Sequence, residues 1–271
     1  MTERKLPDGT VLRDLRGQAE LDDAVRLQED TWGSGFTERV PAAMLLVGQK
    51  IGGVSAGAFA SSGALVGFVF GLTGVRNGRL VHWSDMLAVH PEARGRHLGE
   101  ALKHYQRERC RTIGVETMYW TYDPFVARNA YLNLNRLGAT IDQFVPDMYG
   151  ANTNSPMHGN LGTDRFIAAW AVSTEPAPMS SDASLLTGVP IAGGPPGLAP
   201  DDDHPLPDVN AVAVAVPNDY HALLSRDLAL ARAWRASARR AFVNYLGNGW
   251  HVSAFIPSSD GDATYLLTRS A

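Results

Sequence analysis

The stretch Asp85-Met-Leu-Ala-Val-His-Pro-Glu-Ala-Arg-Gly-Arg-His-Leu-Gly-Glu100 decides the fold of this chain. Met86 to Val89 is a short apolar run, which is typical of the end of a buried strand. Pro91 stops that strand, because proline has no N–H to donate to a sheet ladder. Arg94 to Gly99 follows as a basic turn that contains glycine. The local order is therefore a buried strand followed by a charged turn.

A helix is predicted to begin directly after this turn, at about His97. Its apolar residues recur at helical spacing, at Leu98, Ala101, Leu102 and Tyr105. The first amides of a helix have no acceptor inside the helix, and the helix dipole places positive potential there. The sequence therefore predicts an anion site at this turn, suited to a phosphate or a diphosphate.

The segment from Leu87 to Gly99 resembles the acetyl-CoA-binding motif of the GNAT (Gcn5-related) N-acyltransferases. The family pattern Arg/Gln-x-x-Gly-x-Gly/Ala falls here on Arg94, His97 and Gly99, and His97 replaces a glycine of the pattern. The resemblance implies an acyl-CoA-dependent N-acyltransferase with acetyl-CoA or another short acyl-CoA as the donor. The residues of this segment and a nearby helix that it implies for CoA binding are Leu87, Ala88, Val89, Arg94, Gly95, Arg96, His97, Leu98, Gly99, Glu100, Asn129 and Asn133.

The residues before the motif also follow the GNAT order of elements. We predict a strand at 12–15, helices at 21–32 and 41–50, and strands at 57–60, 64–72 and 80–89, followed by the motif helix and a strand at 116–122. The expected class is α/β (α+β), with a central mixed, mostly antiparallel sheet flanked by helices.

A second segment, from Tyr122 to Ala139, resembles the GNAT helix that carries an asparagine and a tyrosine. Those family positions fall on Ala127 and Leu134 here. In the family the tyrosine commonly protonates the departing CoA thiolate, which leucine cannot do. Tyr131 is the candidate replacement; water, or departure without an acid, are the alternatives.

The amides of Asn129 and Asn133 lie four residues apart on this helix. They either bind the pantetheine or acyl group or satisfy local backbone groups, and the sequence does not choose. The residue pattern of this segment, together with Trp170, resembles that of a subgroup of predicted bacterial acetyltransferases that have a C-terminal extension. Some relatives in that subgroup use succinyl-CoA.

The resemblance also suggests how the reaction is catalysed. It implies that the amide near Val89 polarises the thioester carbonyl, while a base lies just before it on the strand. Asp85 and His82 are the candidates, and Asp85 is preferred by proximity. On a regular strand these two side chains face opposite sides, so both enter one pocket only if the strand contains a bulge. A structural role for either residue is the competing interpretation.

Two features after residue 149 bear on the substrate. Residues 150–163 are rich in glycine and asparagine and are predicted to be a long loop of the kind that often acts as a lid; it carries His158. Arg165, just before a strand predicted at 166–172, is either a ligand for a substrate carboxylate or half of a structural pair with Asp164.

The last third of the chain has a different character. Half of the 16 prolines fall within 175–207, which is predicted to be an irregular connector. A strand at 209–216, a long helix at about 219–246 and strands at 252–256 and 264–268 are predicted to follow. The predicted domains are therefore a GNAT core at 1–174, the connector, and a strand–helix–strand–strand extension at 208–271 that packs on the core.

Composition limits the classes of function. The chain has 271 residues, 45% of them hydrophobic, and a net charge of −4, so neither nucleic acid nor an anionic membrane is an expected partner. One cysteine, no apolar leader and no long apolar run predict a cytoplasmic protein without disulfides. No spacing of Cys or His typical of a metal site occurs, so no metal is expected.

The sequence thus predicts an enzyme that moves an acetyl or other short acyl group from CoA to a primary amine of a small molecule, by direct attack in a ternary complex. Two alternatives remain open: an amino-acid N-succinyltransferase that uses an arginine such as Arg165, and a non-catalytic acyl-CoA-binding module, which His97 and Leu134 would suit. The extension either covers the acceptor pocket or forms the face of a homodimer.

Overall fold

A computed structural model describes residues 3–33, 35–150, 161–201, 204–259 and 261–269. The chain divides into two compact units. Unit 1 comprises Met1–Trp120 and Trp170–Glu175, and unit 2 comprises Thr121–Ala169 and Pro176–Ala271. Within the described residues, no helix combines the length and the apolar character needed to cross a membrane.

Unit 1 holds the elements that the motif organises. Its strands are β1 (Arg4–Lys5), β2 (Val11–Asp14), β3 (Val54–Phe59), β4 (Leu65–Arg76), β5 (Arg79–Val89) and most of β6 (Thr117–Tyr122). Its helices are α1 (Gly17–Trp32), α2 (Ala42–Lys50) and α3 (Leu98–Thr112), with a 3₁₀ turn at Pro91–Ala93. The predicted elements up to residue 122 are confirmed, apart from shifts of a few residues at their ends.

The strands of unit 1 form one sheet in the order β1-β2-β3-β4-β5-β6. Neighbours up to β5 are antiparallel, whereas β5 and β6 are parallel. The predicted mixed, mostly antiparallel sheet is therefore confirmed.

Helices lie on both faces of this sheet, and the alternation of side chains along β4 explains why. Phe68 and Phe70 pack into a core with Leu21, Leu27 and Leu45 of α1 and α2. On the opposite face β4 carries Gly67, Val69 and Gly71. A Cβ added to Gly67 would meet Leu102 of α3 at 3.2 Å, and one on Gly71 would meet Gln106 at 2.9 Å. The glycines thus let α3 approach the sheet closely.

Unit 2 contains two groups of strands. The antiparallel pair consists of β7 (Thr140–Val145) and β8 (Arg165–Ala171, of which residues 165–169 belong to this unit). The four-stranded sheet has the order β11-β12-β10-β9, formed by β9 (Ile191–Gly193), β10 (Ala211–Val216), β11 (Trp250–Ile256) and β12 (Ala263–Arg269). The strands predicted in the extension are confirmed, while β1, β7 and β9 were not anticipated.

The long helix predicted at 219–246 is in fact two helices, α5 (Tyr220–Arg226) and α6 (Leu228–Gly247). Asp227 separates them with an extended backbone, φ −149° and ψ 91°. Its carboxylate accepts a hydrogen bond from the Leu230 amide at 2.9 Å, which caps α6. The periodicity continues through the break, so the apolar pattern alone could not reveal it.

The helix predicted after Phe125 also differs from a regular α-helix. It begins as α4 (Ala127–Ala130) and continues as a π-helix at Tyr131–Arg136. The Leu137 amide donates to the Leu132 carbonyl at 2.9 Å, five residues back. Such wider turns are rare and occur frequently at functional sites.

Candidate functional site

A β-bulge interrupts β5 at Asp85. Phe70 of β4 is paired with Met86 and Gly71 with Ser84, so Asp85 is an extra residue without a partner on β4. Bulges of this kind re-aim side chains next to binding sites. The bulge that would bring His82 and Asp85 to one side is therefore present, but their surroundings differ.

Asp85 is exposed, yet neighbouring atoms partly desolvate its carboxylate. This desolvation raises the pKa of Asp85, and the negative charge of Glu38 raises it further. A carboxylate whose pKa is raised toward neutrality accepts a proton more readily at physiological pH.

His82 is fully buried and both of its ring nitrogens are occupied. Nε2 lies 3.0 Å from the Gln106 amide nitrogen, which can only donate, so Nδ1 carries the proton and donates to Thr73 Oγ1 at 3.0 Å. Thr73 Oγ1 in turn donates to the Gly52 carbonyl at 2.8 Å. Burial lowers the pKa of His82 to about 3, with the nearby charge of Lys103 adding to the effect. His82 is thus a neutral core histidine.

The strands β5 and β6 separate immediately before the bulge. Their paired residues are Val81 with Thr117, His82 with Met118 and Trp83 with Tyr119. Among the described residues, β5 has no partner on this side from Ser84 to Val89. Its backbone edge therefore offers donors and acceptors to an extended ligand that carries amides.

The turn after β5 has the backbone of an anion site. Gly95 and His97 are left-handed, with φ of 79° and 57°, and His97 is the N-cap of α3. The position at which the GNAT pattern has glycine thus adopts the conformation that favours glycine. Arg94 Nε lies 3.4 Å from the Val89 carbonyl, which ties the turn to the end of the strand.

The predicted CoA-binding residues of unit 1 divide into a supporting and an accessible group. Ala88 and Leu98 are buried, whereas Arg94, Gly95, Arg96 and His97 are exposed. Leu87, Val89, Gly99 and Glu100 are half-buried. A cleft of about 450 Å³ borders Arg96, His97 and Ala101, with Leu6, Pro7 and Asp8 on its other wall. Exposed guanidinium groups at a helix N-terminus can bind phosphate.

The remaining candidates lie in unit 2. Tyr131 is 41% exposed and Asn129 is half-buried. Asn133 is 4% exposed and interacts with another group of the protein. Leu134 is fully buried. Residues 151–160 of the predicted lid, His158 among them, lie outside the described residues.

Arg165 is buried among groups of its own unit. Its guanidinium lies 3.8 Å from Asp123, donates to the Asp164 carbonyl at 2.9 Å and lies over the ring of Tyr149. These contacts include an ion pair with the Asp123 carboxylate, a partner that was not predicted from the sequence.

A cluster of arginines and aspartates in unit 2 was not anticipated. Arg239 donates to Asp147 and to Asp164 at 2.6–2.9 Å, and Arg235 donates to Asp123 at 2.8 Å. Hydrogen bonds from Arg239 lower the pKa of Asp147. Burial alone would raise the pKa of Asp123, but Arg235 and Arg165 lower it overall. The only sequence signal was the spacing of Arg235 and Arg239, one helical turn apart.

A polar stripe on the buried side of α3 was also missed. Lys103, Gln106, Arg107 and Cys110 follow helical spacing and are all buried. Lys103 Nζ donates to Ser84 Oγ at 2.8 Å, and Ser84 Oγ donates to Gln106 Oε1 at 2.8 Å. The apolar stripe of α3 predicted one buried face. The helical spacing of Lys103, Gln106 and Cys110 is the sequence signal for the second, polar buried face.

Comparison with known proteins finds similarity to solved structures of acetyltransferases. No protein-family model and no curated protein matches the chain. The ribosomal-protein-S18-alanine N-acetyltransferase from Escherichia coli is 17% identical, with a TM-score of 0.47, over 61% of this chain and 95% of that one. A GNAT superfamily phosphinothricin acetyltransferase from Sinorhizobium meliloti, in complex with acetyl-CoA, is 19% identical, with a TM-score of 0.46, over 62% and 93%. An aminoglycoside 6'-acetyltransferase type Ii is 17% identical, with a TM-score of 0.47, over 61% and 99%. At these identities and TM-scores, the similarity by itself identifies no activity for this chain.

Proposed function

We propose that this protein is a GNAT-type N-acyltransferase that moves an acetyl or other short acyl group from CoA to a primary amine of a small molecule. One observation carries the proposal: the bulged strand β5 separates from β6 and leads through the left-handed turn at Gly95 and His97 into α3. This arrangement supplies an unpaired backbone edge and an anion site in one continuous segment.

In the proposed complex, the donor lies along this segment. Arg94, Arg96 and the first amides of α3 bind the diphosphate, since they combine charge with unpaired N–H groups. The amides of the pantetheine arm pair with the free edge of β5 between Ser84 and Val89. Leu87 and Val89 line the path, with Gly99 below it.

The chemistry requires three events: loss of a proton from the amine, polarisation of the thioester carbonyl and release of the thiol. Asp85 takes the amine proton, directly or through water, which its raised pKa favours. The backbone amide near Val89 polarises the carbonyl. The amine nitrogen bonds to the carbonyl carbon, the C–S bond breaks, and the CoA thiolate takes up a proton from water or from an acidic side chain.

Release of CoA thiol by the pure protein tests the proposal. Acetyl-CoA and other short acyl-CoA donors would be offered with a panel of amino acids and small amines, and thiol release followed spectroscopically. We expect release that depends on the acceptor, together with an acylated amine detected by mass spectrometry. Tight CoA binding with background release for every donor and amine would instead support a non-catalytic binding module.

A matched pair of variants separates the site from unrelated effects. Arg94→Ala/Arg96→Ala removes charge from the anion site, while Arg26→Ala removes an exposed arginine of α1 that pairs with Asp23. Loss of acceptor-dependent release in the first and not in the second is expected. Equal activity of both would contradict the proposed donor site.

A further inference from the structure

Lys103 is a buried amine with few partners. It is 3% exposed, Nζ donates to Ser84 Oγ at 2.8 Å, and it lies 3.9 Å from the centre of the Trp120 ring. A lysine ammonium has three N–H donors. Among the described residues, no carboxylate lies within ion-pair distance of Nζ.

This arrangement is costly for a charged group. A buried charge normally has a counter-ion, because removal from water is expensive. Here burial lowers the pKa of Lys103 to about 7. An anion next to Nζ would favour the ammonium and supply the missing counter-charge.

The position of Lys103 is specific. Trp83 and Tyr119 form the last pair between the described residues of β5 and β6, so Ser84 and Trp120 are the first residues beyond it on the two strands. Lys103 contacts both of them. Its amine therefore lies at the closed end of the gap between the strands, while the turn at Arg94 to Gly99 lies beyond the far end of β5.

We propose that Lys103 determines the acyl donor: it binds a carboxylate at the far end of the acyl chain, so that the preferred donor is a CoA thioester of a short dicarboxylic acid. This inference rests on the proposed function, since it requires the pantetheine arm to enter the gap with its acyl group foremost. Ser84 positions the amine, and the Trp120 ring covers one side of it.

Two donors whose acyl chains have similar length separate the effect of the terminal carboxylate from the effect of the chain itself. Succinyl-CoA and butyryl-CoA both carry a four-carbon acyl chain, but only the former ends in a charge. Calorimetric affinities of CoA, succinyl-CoA and butyryl-CoA would be measured for the wild-type protein, for Lys103→Met and for Lys50→Met, an exposed lysine at the end of α2. Methionine keeps most of the volume of the lysine stem and removes the charge.

The wild-type protein and Lys50→Met are expected to bind succinyl-CoA about tenfold or more tightly than butyryl-CoA, as a hydrogen-bonded charge pair would give. Lys103→Met should bind butyryl-CoA at least as tightly as succinyl-CoA, with an unchanged affinity for CoA itself. Lys103→Arg keeps the charge and should retain at least part of the preference.

Three results would overturn the inference. If CoA binds but wild type does not distinguish the two thioesters, the inference fails while the proposed function stands. If Lys103→Met keeps the wild-type preference for succinyl-CoA, a group other than Lys103 binds the carboxylate. If CoA does not bind, both proposals fail. If Lys103→Met does not fold, the ratio of the succinyl-CoA and butyryl-CoA affinities of the wild-type protein and of Lys103→Arg still tests the inference.

Discussion

His82 Nε2 accepts a hydrogen bond from the Gln106 side-chain amide at 3.0 Å, between strand β5 and helix α3. This contact begins a directional chain, since His82 then donates to Thr73 and Thr73 to the Gly52 carbonyl. The other end of Gln106 accepts from Ser84, which accepts from Lys103. The chain fixes the tautomer of His82 and leaves Asp85 as the candidate base on this strand.

Replacing Gln106 by leucine tests this chain. The variant leaves the hydroxyl of Ser84 and Nε2 of His82 without their partner in a fully buried place. We expect the free energy of unfolding to fall by about 2 to 4 kcal/mol, since each unsatisfied buried group costs about 1 to 3 kcal/mol. Urea denaturation measures it. Gln18→Leu, at an exposed site in α1, is the control and should change stability by less than about 0.5 kcal/mol.

The left-handed backbone of His97 predicts an unusual pattern of stability. His97→Gly should keep or raise stability, by up to about 1 kcal/mol, because glycine adopts this conformation without strain. His97→Val should lower stability by about 1 kcal/mol or more, because a β-branched residue is strongly disfavoured there. Thermal and chemical denaturation of both variants give the comparison. A valine variant as stable as the glycine variant would show that the turn is not held in this conformation.

The anion site predicts a loss of donor affinity without a loss of fold. Arg94→Ala and Arg96→Ala should each weaken CoA binding about tenfold or more, since a charge-assisted hydrogen bond contributes about 1.5 to 3 kcal/mol. Both side chains are exposed and the contact of Arg94 Nε with the Val89 carbonyl is long, at 3.4 Å, so the unfolding midpoint should change little. Calorimetry at two salt concentrations measures the effect, and wild-type affinity should fall as salt rises. An affinity independent of both salt and these arginines would exclude phosphate binding here.

Asp85 predicts a change in the pH profile of turnover. A base acts in its ionised form, so wild-type turnover at low substrate should rise with pH as Asp85 loses its proton, at a pH above the usual range for aspartate. Asp85→Asn should remove this rise and lower turnover by about 10²-fold or more. Initial rates of thiol release from pH 4 to pH 8 measure both. A pH profile of turnover that is unchanged in Asp85→Asn would show that Asp85 is not the general base.

The arginine cluster of unit 2 predicts sensitivity to acid. Arg239→Met removes the ion-pair partner of Asp147 and one of the two arginine partners of Asp164, which is 1% exposed. Because Arg239 is itself one-third exposed, the cost should lie below the value of about 3 to 5 kcal/mol for a fully buried pair. The pKa of Asp147 is lowered in the folded protein, so its contribution is present above the unfolded pKa and is lost as pH falls. Wild type should therefore lose stability on acidification more steeply than Arg239→Met. Denaturant midpoints at pH 7 and pH 4 give both slopes, with exposed Arg232→Met as the matched control.

The local order of the site was predictable because it depends on neighbours in the chain. The apolar run at Met86 to Val89, the stop at Pro91 and the helical spacing from Leu98 predicted β5, the turn and α3 within a few residues. In contrast, Asp227 breaks a continuous apolar pattern by capping α6, which periodicity does not reveal.

By itself, the sequence determined which segments become strands, turns and helices around residues 85–100, since propensity and periodicity are local properties. Only the tertiary structure decided which polar groups are buried together. The bulge at Asp85 depends on the register with β4, the neutrality of His82 depends on Gln106, and the burial of Lys103 depends on Ser84 and Trp120. Each of these contacts joins residues distant in the chain, and the ionisation state of a side chain follows from such neighbours rather than from its own identity.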